Sequence, residues 1–227
     1  MSSRPRWMRR LACLVACLGG LLPAHAGRAS TPDGARLAAR LDSATAADIG
    51  VILDEARRKA LPTAPLVATA LEGAARGVPP DRIVTAVRSQ AIGLERAREA
   101  LDLRADEAEL VAGASALRAG VPPDSLTRLR GARGGSALIP LVVMADLITR
   151  GVPPATASGA MIAAIRVGVR DPDLLRLREH VALDIRAGAS PRDAATVRMQ
   201  ALMVEWNRAV RHPSAAPRPA LPGELPR

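Results

Sequence analysis

The chain is expected to fold as an all-α array of helical hairpins, and three observations predict it. Gly77-Val78-Pro79-Pro80, Gly120-Val121-Pro122-Pro123 and Gly151-Val152-Pro153-Pro154 repeat one tetrapeptide, with a worn fourth copy at Gly188-Ala189-Ser190-Pro191. Each is flanked on both sides by Ala/Leu/Val/Arg-rich sequence of helical periodicity. With no Phe or Tyr and only two Trp, the core has to be built from Ala, Leu, Val, Ile and Met. The break glycines stand 43, 31 and 37 residues apart. That irregularity argues against a strict solenoid and for divergent hairpins, about eight to nine helices packed as one compact array, either solenoid-like or as an irregular bundle.

The repeated break has a physical reading. Gly can take the left-handed conformation that closes a helix, and the Val after it packs an apolar side chain against the last turn. The first proline stops the helix, and the second suits the first position of the next one, where no N–H is needed. Arg76, Arg118, Arg150 and Arg186 precede the breaks, and Asp81, Asp124 and Asp193 follow them. Both placements complement the helix dipole.

In order, residues 27–43 read as a polar lead-in with one short turn near 36–41. Residues 44–211 form the helical-hairpin domain. Helices are expected over 44–59, 66–76 and 81–103, the last carried by Ile83, Val84, Val87, Ala91, Leu94 and Leu101. Asp106 with Glu109 is a capping box for a helix reaching Ala119. A short helix carries Leu126 and Leu129, and Ser136 caps a helix running through Arg150. Helices follow over 155–167, from Asp171-Pro172-Asp173, and from Pro191 to about Val210. Gly73, Gly113 and Gly159 are expected where helices approach closely. Residues 212–227 are a Pro-rich tail read as disordered.

Residues 1–26 have the pattern of a secretory signal peptide. Arg4, Arg6, Arg9 and Arg10 form a basic start, Leu11 to Leu22 an apolar run, and Ala24-His25-Ala26 a cleavage site, with cleavage expected after Ala26. A lipobox-like Leu14-Val15-Ala16-Cys17 offers an alternative in which Cys17 becomes a lipidated N-terminus. The apolar run is too short for a membrane span of about 20 residues, so the mature chain is expected to be soluble and exported, periplasmic or secreted.

Cleavage would remove both cysteines, Cys13 and Cys17, together with Trp7 and His25. The remainder has no thiol for a disulfide, a nucleophile or a thiolate metal site. Only His180 and His212 remain, which leaves a His-based metal cluster or a Ser-His-Asp triad without support. Trp206 as the lone aromatic argues against stacking platforms for nucleic acid. The net charge of +10 falls to +6 on cleavage, from 28 basic and 22 acidic residues. Those charges are dispersed rather than clustered.

Candidate chemistry is confined to carboxylates. Glu72 and Asp146 each precede a break glycine by five residues, with Arg76 and Arg150 four residues further on. They read first as i,i+4 ion pairs and secondly as acids facing one groove, with Glu109 and Asp184 as further members. His180 reads as a solvated or structural histidine. Gly131 to Gly135 resembles a phosphate-cradling loop only in its glycines. Trp206 reads as the anchor of the last helix.

No catalytic, cofactor-binding or metal residue and no cofactor is assigned. The function expected is a non-enzymatic binding or scaffolding module of the bacterial envelope, with another envelope protein as partner and without nucleic acid. The alternatives are a carboxylate-dependent hydrolase or lytic enzyme and a peripheral binder of anionic envelope lipids.

Overall fold

A computed structural model describes residues 32–211, which form helices and connecting turns without a β-strand. The expected signal peptide, both of its processing variants and the 212–227 tail lie outside the described residues. The helices are α1 (Pro32–Ala38), α2 (Ser43–Arg58), α3 (Ala64–Ala75), α4 (Pro80–Leu101) and α5 (Glu107–Arg118). They continue with α6 (Pro123–Ala132), α7 (Leu138–Thr149), α8 (Pro154–Arg166), α9 (Asp171–Arg186) and α10 (Pro191–Arg211). Ten helices therefore stand among the described residues where eight or nine were expected. The addition is α1, in the lead-in: Pro32 starts it, Asp33 favours its first turn and Leu37 is buried as its anchor.

The repeated breaks are Schellman motifs. The Val78 N–H donates to Gly73 O at 3.0 Å and the Gly77 N–H to Ala74 O at 3.1 Å. Val121 and Val152 make the same bonds to Ala116 and Leu147, and both valines are buried. Pro80, Pro123 and Pro154 open α4, α6 and α8. A further motif of this kind, unremarked in the sequence, closes α8: Gly168 takes a positive φ and the Val169 N–H reaches Ala164 O at 3.0 Å. Another closes α2 with Ala60 at φ 52°, a conformation that costs an alanine more than a glycine.

Helices two apart in sequence pack together, α2 on α4, α4 on α6, α6 on α8 and α8 on α10. In the second layer α1 packs on α3, α5 on α7 and α7 on α9. The contacts α3–α4, α4–α5, α7–α8 and α9–α10 join the layers over one continuous aliphatic core. Two of the three glycines expected at close approaches are there. A Cβ on Gly113 would lie 2.7 Å from Leu101 Cδ1 and 3.2 Å from Ala97 Cβ, and one on Gly73 would lie 2.9 Å from Ile83 Cγ1. Gly159 is a correction: it faces open space, with nothing within 4 Å of a built Cβ.

Candidate functional site

The four carboxylates singled out in the sequence do not converge. Glu72 pairs with Arg76 at 2.7 Å with both side chains largely exposed, and Asp146 takes Arg150 Nε at 2.7 Å and Nη2 at 3.1 Å. Asp184 accepts two bonds from Arg198, at 2.6 and 2.7 Å, across the α9–α10 seam. That arginine holds the Asp184 carboxyl below its usual range.

Glu109 is the one buried among them, 3 % exposed beside an 8 % exposed Arg130. Its Oε2 receives Arg130 Nη2 at 2.6 Å and the Asp106 N–H at 3.2 Å, while Oε1 receives the Ala137 N–H. The Asp106–Glu109 capping box is present as the sequence indicates. The other two contacts come from residues 21 and 28 positions away. Burial pushes the Glu109 carboxyl up, but the Ala137 N–H, the Arg130 guanidinium and the Asp106 N–H outweigh it, and the net displacement is downward.

This arrangement corrects a local expectation. Ala137, not Ser136, is the N-cap of α7, and the N–H of that cap residue is taken by a carboxylate from α5. Ser136 contributes a weaker bond, accepting the Leu138 N–H at 3.2 Å. The Gly131–Gly135 loop is tied down by Arg130 to Gly135 O at 3.3 Å, by Arg133 to Ser136 O, and by the 2.6 Å Arg133–Asp171 ion pair. The anion-binding end of α7 is already occupied from within the chain.

Asp146 and Glu179 share an α7–α9 concavity of about 480 Å³, Asp173 and Glu205 an α9–α10 one of about 170 Å³, and Glu55 and Glu95 the α2–α4 groove of about 220 Å³. Glu55 and Glu95 both contact Lys59 Nζ there, at 3.0 and 2.7 Å. Hydrogen bonding to Lys59 holds the Glu55 carboxyl below its usual range. A general acid needs the opposite displacement. His180 is exposed near Asp184. Trp206 is half-buried against the core, its indole N–H donating to Val167 O at 2.8 Å and Arg170 lying 5.8 Å over its ring. Among the described residues no group of three or more His, Cys, Asp or Glu is placed to hold a metal. None of their helices is long and apolar enough to cross a membrane.

The strongest site is one that the sequence reading passed over. An open groove of about 330 Å³ runs between the outward faces of α4 and α5. Ile92, 46 % exposed, and Leu117 give it an apolar floor, and Gly93 lets α4 approach Ala114 of α5. Arg88, Arg96 and Arg118 rim it, and no Asp or Glu lines it. Arg118 donates to the Gln90 amide, while Arg88 and Arg96 make no hydrogen bond or ion pair with the described residues.

Beyond the groove, the α4–α5 turn is a tip braced by hydrogen bonds. Asp102 sits at φ 64° and ψ −177°, a conformation costing a non-glycine residue roughly 1–3 kcal/mol. Arg98 braces it, donating to Ala105 O at 3.0 Å, Asp102 O at 3.4 Å and Ala60 O at 3.3 Å. The side chain and backbone N–H of Arg104 hold the Asp102 carboxyl down to about 2. At the summit Leu103 is 88 % exposed.

Comparison with protein-family models, with curated proteins and with solved structures returns no match.

Proposed function

We propose that this protein is an exported binding or scaffolding module whose recognition surface is the α4–α5 groove. One observation carries the reading: three guanidinium groups surround an exposed isoleucine without a carboxylate in the lining. Elsewhere the pattern is reversed, since Glu72, Asp146, Glu109 and Asp184 all pair with arginines of the same chain. A groove of arginines without a carboxylate partner in its lining, set around apolar surface, suits a protein element carrying carboxylates and an aliphatic side chain. The absence of aromatic side chains from its lining argues against a nucleobase.

The enzymatic alternative has weaker support. Every carboxyl with a displaced pKa is displaced downward: Asp42, Glu55, Asp102, Glu109 and Asp184. Such groups remain ionised acceptors at neutral pH and do not supply a proton. Export is supported by the signal-like pattern of residues 1–26.

The test is photo-cross-linking in cells from Ser89, an exposed position lining the groove. A discrete adduct that saturates, and that weakens on replacing Arg88 and Arg96 by Gln, is the expected result. Adducts no different from those of a probe at exposed Val51 on α2 would remove the groove from consideration.

A further inference from the structure

We propose that the α4–α5 groove receives the α4–α5 tip of a second copy of this chain, in a two-fold symmetric, side-by-side dimer. The inference rests on the reading of this groove as a recognition surface and names its occupant.

The motivation is a self-complementary stripe. Arg88, Ile92, Arg96 and Glu99 are all exposed on the outward face of α4, at the i, i+4, i+8 and i+11 positions of one helical row. Leu103 follows at the tip. Read from the groove the order is basic, apolar, basic; read towards the tip it becomes acidic, apolar. Two such stripes laid antiparallel bring Glu99 of each copy opposite Arg96 of the other and Leu103 opposite Ile92. The two-fold axis then passes between Arg96 and Glu99, and each contact forms twice.

Charge agrees with the spacing. The tip carries Glu99, Asp102, Asp106 and Glu107 against Arg98 and Arg104, and Arg98 is turned onto the tip's own carbonyls. Arg104 is spent on Asp102 at 2.7 Å, while exposed Glu99 and Glu107 have no partner among the described residues. The groove offers three arginines and no acid. The tip is also pre-organised, because Arg98 fixes its carbonyls and leaves Leu103 projecting into solvent. A braced knob loses little conformational freedom on docking.

The chain's own ends do not fit this groove by charge. Residues 1–31 hold five arginines and no acid, and residues 212–227 hold two arginines and one glutamate. The stripe from Arg88 to Glu99 is only about 17 Å long at 1.5 Å per residue. That is short of the contact area of a standard interface, so the dimer should be of micromolar affinity and salt-sensitive.

Sedimentation of the purified exported protein tests this. A reversible monomer–dimer equilibrium is expected, weaker at about 0.5 M salt than at about 0.05 M. R96E and E99R should each weaken dimerisation by about tenfold or more, a scale set by close interfacial charge pairs. The combined R96E/E99R chain should recover most of the loss, since two-fold symmetry rebuilds both pairs. L103D should abolish the dimer while leaving the helical circular-dichroism spectrum and melting point unchanged, because Leu103 touches solvent.

A wild-type chain that stays monomeric at high concentration would overturn the proposal, as would open-ended oligomers or a double variant without rescue. If Ser89 cross-links a foreign protein while the purified chain is monomeric, the occupant is wrong and the binding-module reading stands. Sedimentation of the monomer with anionic vesicles would point to a lipid surface instead and likewise overturn the dimer. A monomer that also yields no discrete adduct would remove both.

Discussion

The two ends of α5 treat charge in opposite ways. At its start Glu109 and Arg130 are buried together, and the carboxylate also receives the N–H groups of Asp106 and Ala137. At its end Arg118 opens onto a groove shared with two arginines that have no partner among the described residues. A buried charge is tolerable only when most of the bonds it needs are made, and at the first end these bonds come from within the chain, although Arg130 Nε is left without a partner among the described residues. An exposed guanidinium remains hydrated and costs little to leave unpaired. The contrast identifies which charged residues hold the fold and which are free to meet something else.

Removing Glu109 should break that contrast most severely. E109A leaves Arg130 buried without its counter-charge and frees the Ala137 N–H, with an expected loss of roughly 3–5 kcal/mol. Urea denaturation measures it, and E109L/R130M should restore a large part. A loss below about 1 kcal/mol in E109A would show that water reaches the pair.

Acid should act at the same end. The folded Glu109 pKa lies below its ordinary value of 4.5. Its stabilisation is therefore complete above that value and fades as the pH falls through the lower, folded pKa. Asp184, lowered by Arg198, acts in the same sense below its ordinary 3.8. The urea midpoint should fall as the pH is lowered below about 4.5, and E109Q should flatten that limb.

Ala60→Gly sharpens the comparison from the other side, because it relieves a left-handed alanine without touching either charge cluster. It should stabilise by about 0.5–1 kcal/mol, seen as a raised melting temperature. At the open end, R88Q and R96Q should each change stability by less than about 0.5 kcal/mol. The fully surface pair is expected to matter as little: E72A should cost no more than about 0.5 kcal/mol, since both side chains remain largely solvated. A larger loss in any of these three would mean that the outward arginines or the break-flanking pair are structural.

Much of the fold was legible because its punctuation is local. Gly77, Gly120 and Gly151 announce left-handed C-termini, the valines after them the apolar seal, and the second prolines the next helix. Asp106 and Glu109, three residues apart, disclose their capping box in the same way. Gly168-Val169 escaped notice because it lacks the proline pair, and Ala60 because alanine does not advertise a positive φ. Gly159 misled because a small residue marks a close approach only when the neighbouring helix crosses at that point.

The site was far less legible. Glu109 was visible as an acid, but its removal from any ligand's reach depends on Arg130 and Ala137, brought in by the packing of α5 against α7. The α4–α5 groove needs Arg118 of one helix beside Arg88 and Arg96 of another, a neighbourhood without a signature in either segment alone.

The sequence by itself determined helix, break and helix, because capping and periodicity act within a few residues of one another along the chain. Tertiary structure alone decided which charges are consumed and which remain open. Burial and ion pairing depend on distance in space, and α4, α5, α6 and α7 meet only after the chain has folded.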